Sequence, residues 1–176
     1  TFANKTDPPA LILKSSAATF SIMDREMIFS KIRDIKSRFP SNIKLPNVYL
    51  LHGDLTPEEM NYLYNHPKVK CMVSLTHGEG FGRPLLEATM TGLPVVASNW
   101  SGHVDFLDKE YSILVDGEMV QVPQSVVWEN IIIPESHWIS VNEHVASQSF
   151  RFAYENYLNL KGKAKKLMDI KRKKYS

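Results

Sequence analysis

Cysteine is almost missing from this sequence: Cys71 is the single one among 176 residues, which excludes an internal disulfide and a cysteine-built metal cluster. Its position inside the apolar run Cys71-Met72-Val73-Ser74-Leu75 suits a buried structural thiol better than a nucleophile. Long apolar runs are missing too. None approaches the roughly 18 to 20 residues that span a bilayer, and no signal-peptide pattern is read at the first residues, so a soluble, cytoplasmic protein is the expectation. There is no Asp-x-Asp pair. The histidines at 52, 66, 77, 103, 137 and 144 lack metal-ligand spacing. No metal or other cofactor is therefore expected, and no internal repeat is found.

Strong net charge is also lacking, at +2, but the balance is uneven. Residues 161–176 carry eight basic side chains against Asp169 alone, so the rest of the chain is net acidic. Such a tail suits peripheral contact with an anionic membrane surface, and a solvated lysine-rich helix explains it as well. Aromatic interleaving is limited to Tyr175, so nucleic acid is not an expected partner.

What is present is enough apolar residue, 43% of the chain, to bury one core. Composition divides the chain into a linker or frayed start over 1–9, a domain over 10–160 and a basic terminal helix over 161–176. Short apolar runs alternate with helix-period segments. Ala10–Leu13, Val48–Leu51, Cys71–Leu75, Val95–Ser98 and Ile113–Val115 read as strands. Asp24–Phe39 carries an amphipathic pattern ended by Pro40. Thr56-Pro57-Glu58-Glu59 gives a cap, a first-turn proline and a glutamate three residues after the cap. Val141–Leu160 reads as a helix capped by Asn142 or Ser140, with Gly162 separating it from the last one. Strands alternating with helices predict an α/β, Rossmann-like, doubly wound parallel sheet of about five or six strands flanked by helices. Residues 118–140 lack a helical period and are expected to be extended.

The chemistry concentrates in His77-Gly78-Glu79-Gly80-Phe81-Gly82-Arg83-Pro84-Leu85-Leu86-Glu87-Ala88. Three glycines and a proline stand between two apolar runs, which reads as strand, tight loop and helix. Proline near the first helical position marks the helix start. The first N–H groups of a helix have no internal partner and carry the positive end of its dipole, so this entrance suits a phosphate or carboxylate. Glycine lets a ligand approach the backbone of Gly80, Phe81, Gly82 and Arg83. Glu87, one turn into the helix, leans back toward the loop that carries Glu79, and carboxylates are good acceptors for sugar hydroxyls. A ligand with both phosphates and hydroxyls, such as a nucleotide sugar, fits. Plainer roles stand beside this one: Glu87 as a first-turn acid, Phe81 as packing. Lys14, at the carboxyl end of the first strand with Ser15 and Ser16, is a candidate counter-charge. Ser98, Asn99 and Ser101 after the fourth strand are candidate ligand contacts or ordinary turn residues.

Residues 46 to about 114 resemble the nucleotide-sugar-binding half of GT-B glycosyltransferases, most closely the retaining enzymes of family 4, the "group 1" family. The resemblance rests on the Glu-x7-Glu pair, Glu79 and Glu87, within Glu-Gly-Phe-Gly-Arg-Pro-Leu-Leu-Glu-Ala. Thr91-Gly92-Leu93-Pro94-Val95-Val96-Ala97-Ser98 follows it, and Leu51-His52-Gly53-Asp54 with Leu63-Tyr64 precedes it. It implies one half of a GT-B fold and transfer of a sugar from a nucleoside-diphosphate donor with retention. Glu79 would be the catalytic residue at the donor sugar, Glu87 would meet the ribose, and the backbone of Phe81, Gly82 and Arg83 the diphosphate. The family's second basic residue near Lys14 has no counterpart before Arg25. Trp138 and Glu143 have roughly the arrangement of a Trp and an acidic segment in relatives. The acceptor-binding half, expected at the amino-terminal side of a longer enzyme, is the missing partner. A non-catalytic nucleotide-sugar-binding module would share the same loop. A glycoside hydrolase would use the glutamates as its carboxylate pair, but the anion-binding entrance between them favours a phosphate-bearing ligand.

Overall fold

The computed structural model describes residues 1–15 and 22–175; Ser16, the last residue of the polar turn expected after the first strand, lies outside them. The chain forms two compact units, Thr1–Glu58 and Glu59–Ser176. Helices alternate with parallel sheets in both, so the α/β class follows the sequence pattern.

In the first unit, β1 (Leu11–Ser15) pairs in parallel with β2 (Val48–His52), from Leu11 beside Val48 to Ser15 beside His52. Helix α1 (Ile22–Ser37) makes the crossover and stops just ahead of Phe39-Pro40. β1 is more exposed than its apolar sequence suggests, with Leu11 and Ile12 open to solvent. Residues before β1 are tied to the segment before β2: Asn4 N–H donates to Lys44 O at 2.9 Å, and Lys44 N–H donates to Asn4 Oδ1 at 2.8 Å.

The second unit holds the core. After α2 (Pro57–Asn65), strands β3 (Met72–Ser74), β4 (Val95–Ser98) and β5 (Ile113–Val115) form a parallel sheet in the order β3-β4-β5. Every residue of the central strand is buried, as a near-continuous apolar sequence in a two-sided sheet requires. Cys71, just before β3, is partly buried, and burial pushes its thiol up to about 12, away from the reactive thiolate.

Helix α3 (Arg83–Met90) connects β3 to β4 and buries Leu85, Ala88 and Thr89. It ends at Thr91 and Gly92, the latter at φ 68°, with Leu93 N–H donating back to Ala88 O at 3.2 Å. That reversal suits glycine and satisfies a last-turn carbonyl. Leu85, Ala88, Leu93, Val95, Ala97, Phe106, Leu107 and Leu167 pack with Tyr64 into one cluster.

Residues 118–140 are more regular than the sequence predicts. β6 (Glu118–Gln121) pairs antiparallel with β7 (His137–Ser140), from Glu118 beside Ser140 to Gln121 beside His137. Helix α4 (Glu143–Glu155) follows, and Asn142 Oδ1 accepts from His144 N–H at 2.8 Å as its cap. The break between the last two helices falls at Asn156, not at Gly162. α5 (Tyr157–Tyr175) runs straight through the glycine, because Leu160, Ala164 and Leu167 bury one side of it. Core packing there outweighs the roughly 1 kcal/mol that a mid-helix glycine costs.

Candidate functional site

The loops that follow parallel strands at their carboxyl ends are where an open α/β sheet offers a ligand site. Three such loops lie side by side in the second unit, after β3, β4 and β5. The first runs from Leu75 to Gly82 and opens α3. Gly82 is the cap, at φ 82° and ψ 44°, and as a glycine it supplies no side-chain cap to the helix end. A non-glycine residue resists that conformation. A Cβ there would also stand 2.9 Å from His103 Cβ, so Gly82 is required twice over. Arg83 begins the helix and Pro84 follows, one residue later than a strict first-position proline. At Gly80 an added Cβ meets nothing within 4 Å. The protein's own packing therefore leaves room at Gly80.

Glu79 is held at three points. Thr76 Oγ1 donates to Glu79 Oε1 at 3.0 Å. Ser101 Oγ accepts from Glu79 N–H at 3.2 Å and donates to Glu79 O at 2.7 Å. Gly102 N–H donates to the same carbonyl at 3.0 Å. The loop after β4 thus fixes the backbone of the loop after β3. A Cβ on Gly102 would overlap Gly80 O, so the two loops touch backbone to backbone.

Glu87 pairs with Arg83 along α3, Nε to Oε1 at 2.8 Å. Arg83 is 82% exposed, and its other guanidinium N–H groups have no partner among the described residues. Glu87 also acts inward. Burial first, and then the Glu87 charge, push the Tyr64 hydroxyl up to about 12. Phe81 is 47% exposed and leans on Phe106 and Tyr175, with ring centres 5.5 and 6.5 Å away.

Ser98 is fully buried, and its hydroxyl donates to Thr76 O at 3.0 Å. That bond braces the start of the first loop from β4. Asn99 bridges to the third loop, its Nδ2 donating to Asp116 Oδ1 at 2.5 Å. Lys14 lies within β1, beside Leu51 rather than in a turn, and is exposed; it belongs to the first unit. Trp138 stacks flat on His77 with ring centres 4.0 Å apart. His77 Nδ1 is 2.7 Å from Ile139 O, which makes that nitrogen the donor. Glu143 is exposed in the first turn of α4.

Two residues of this site escape sequence reasoning. Thr76 carries no motif signal. His103 is fully buried between the loops, its Nε2 donating to Ser98 O at 2.6 Å and its Nδ1 without a partner among the described residues. The adjacent Gly102 is the nearest sequence hint of such close packing.

Among the described residues no helix is long and apolar enough to cross a membrane. No curated protein matches the chain significantly. Residues 40–126 match the sequence model of the family described as "Glycosyl transferases group 1", a stretch that contains Glu79, Glu87 and all three loops, and the match supports glycosyl transfer as the activity class.

Proposed function

We propose that the second unit binds a nucleoside-diphosphate sugar and donates its sugar, with retention, to an acceptor held by another domain. The observation that carries this reading is the entrance of α3: a glycine-lined turn with an uncapped helix end, flanked by a fixed carboxylate and a helical one. Pro84 has no N–H and Leu85 N–H donates to Gly82 O at 2.9 Å, so the backbone N–H groups of Phe81, Gly82 and Arg83 would take the diphosphate as negative charge develops on leaving, a preorganised electrostatic contribution. Arg83 would add its remaining donors to a phosphate oxygen while Nε stays on Glu87. The free oxygen of Glu87 would accept from a ribose hydroxyl. Glu79 would hold the sugar, which supplies positioning rather than a proton transfer. Ser98 would act through its hydrogen bond to Thr76 O. The reaction needs no metal in this scheme. The acceptor half is assigned to the amino-terminal part of a GT-B enzyme, and the reaction to the cytoplasm.

The test is a thermal-shift titration of the chain with UDP- and GDP-linked sugars. A binding donor raises the midpoint, by the equivalent of about 2.7 kcal/mol at a hundredfold excess over Kd. Glu87→Ala should weaken the shift. No stabilisation by any member of the panel at millimolar ligand would sink the reading.

A further inference from the structure

Ser101 sits at φ 77° and ψ −166°, a region that glycine occupies freely and a Cβ resists. A glycine stands next to it, at 102, where the backbone does not require positive φ. The serine at 101 is therefore not there for the convenience of the turn. What it has and glycine lacks is a hydroxyl, and that hydroxyl spends both its accepting and its donating capacity on one residue. It accepts from Glu79 N–H at 3.2 Å and donates to Glu79 O at 2.7 Å. Gly102 N–H adds a third bond, at 3.0 Å, to the same carbonyl. The two polar backbone groups of Glu79 are thus both bound from residues more than twenty positions later, while its carboxylate is steered separately by Thr76.

We infer that Ser101 is a positioning residue: its hydroxyl holds the Glu79 backbone at the carboxyl end of β3 so that the Glu79 carboxylate meets the sugar of the donor. This rests on the donor-binding reading of the loop. The strained serine is tolerated because Glu79 must be fixed more tightly than a free loop would fix it. A plain turn residue makes the opposite prediction, since glycine at this φ would relax the backbone and cost nothing else.

Ser101→Gly separates the two. It removes the hydroxyl and relieves the strain, so the variant should fold with an unchanged or higher thermal midpoint. Two readouts follow, on the full 176-residue chain. Amide hydrogen exchange at Glu79, whose N–H loses its acceptor, should speed up by about tenfold or more. Affinity for UDP-glucose or GDP-mannose, whichever the wild type binds, should fall about tenfold, roughly 1.4 kcal/mol. Affinity for the matching bare UDP or GDP should stay within about twofold, because Glu79 serves the sugar. Ser101→Ala, which keeps the strain and loses the hydroxyl, should show the same affinity pattern with a lower midpoint.

Unchanged exchange at Glu79, or an unchanged affinity for the sugar nucleotide, overturns the inference while the donor-binding reading stands. An equal loss for bare nucleotide overturns it too, because the loop has then collapsed generally. A wild type that binds none of the four probes overturns the donor-binding reading and, with it, the role of Ser101 at the sugar.

Discussion

The two ends of α3 are built on opposite plans. At its carboxyl end the chain closes its own helix: Arg172 donates from Nε and Nη2 to Met90 O at 3.1 and 2.8 Å, and Lys161 Nζ donates to Gly92 O at 3.0 Å. Burial, and then the neighbouring charges of Lys165 and Lys70, hold the Lys161 ammonium below its ordinary range. Cations placed there satisfy orphan carbonyls and oppose the negative end of the dipole. At the amino end a glycine in a left-handed conformation stands in the capping position and has no side chain to cap the helix. One helix end is finished by basic side chains of the protein, and the other begins at a glycine that has no side chain to cap it. The basic residues of α5 thus do structural work at one end of the helix whose other end is the candidate site.

Breaking the open end should have the largest effect. Gly82→Ala combines a left-handed backbone with a Cβ against His103 and should destabilise the unit by about 3 kcal/mol, read by chemical denaturation. It should also abolish the thermal shift with donor. A full donor response in a folded Gly82→Ala variant would break the contrast between the ends.

Breaking the closed end should cost less and leave ligands alone. Arg172→Ala removes two hydrogen bonds at an exposed site, worth about 1 kcal/mol, and the donor-induced shift should keep its size. A donor response that falls with Arg172→Ala would show the two ends to be coupled. Gly162→Ala sharpens the same point from the other direction. An added Cβ there meets nothing within 4 Å, so α5 should gain roughly 0.5 to 1 kcal/mol, seen as a higher thermal midpoint with unchanged binding.

The smallest effect concerns Tyr64. Its hydroxyl ionises at about 12 instead of 10.0, from burial first and the Glu87 charge second. The neutral form is favoured in the folded state, so this contribution to stability is complete below the ordinary value and is lost as pH rises through the folded one. Glu87→Gln should move the tyrosinate transition, followed by ultraviolet absorbance, to lower pH. An unmoved transition would place the Glu87 charge out of reach of the core.

Local signals carried much of this fold. β4 and β5 begin and end where their apolar runs do, and α2 starts at the proline after Thr56. Those limits depend on residues close in sequence. The pairing of β6 with β7 does not: fifteen residues separate Gln121 from His137, and no tight-turn dipeptide announces the partnership. Nor does Gly162 reveal that α5 continues, since the packing of Leu160, Ala164 and Leu167 settles it. At the candidate site, the entrance of α3 at Gly82 and Arg83 was legible because helix starts have a sequence signature. The bond from Ser98 to Thr76 and the grip of Ser101 on Glu79 were not. Each joins residues 22 apart, and serine in a turn reads the same whether its hydroxyl faces water or a neighbouring loop.

The flat stack of Trp138 on His77 gives the molecule an optical handle on this region. The imidazole lies flat against the indole at 4.0 Å between ring centres, so Trp138 emission reports the spacing between His77 and β7. His77 begins the very stretch that ends in Gly82. A shift of that stretch would therefore change the emission of Trp138, and in a variant with Trp100 and Trp128 replaced by Phe the same event could be timed in a stopped-flow instrument without any label.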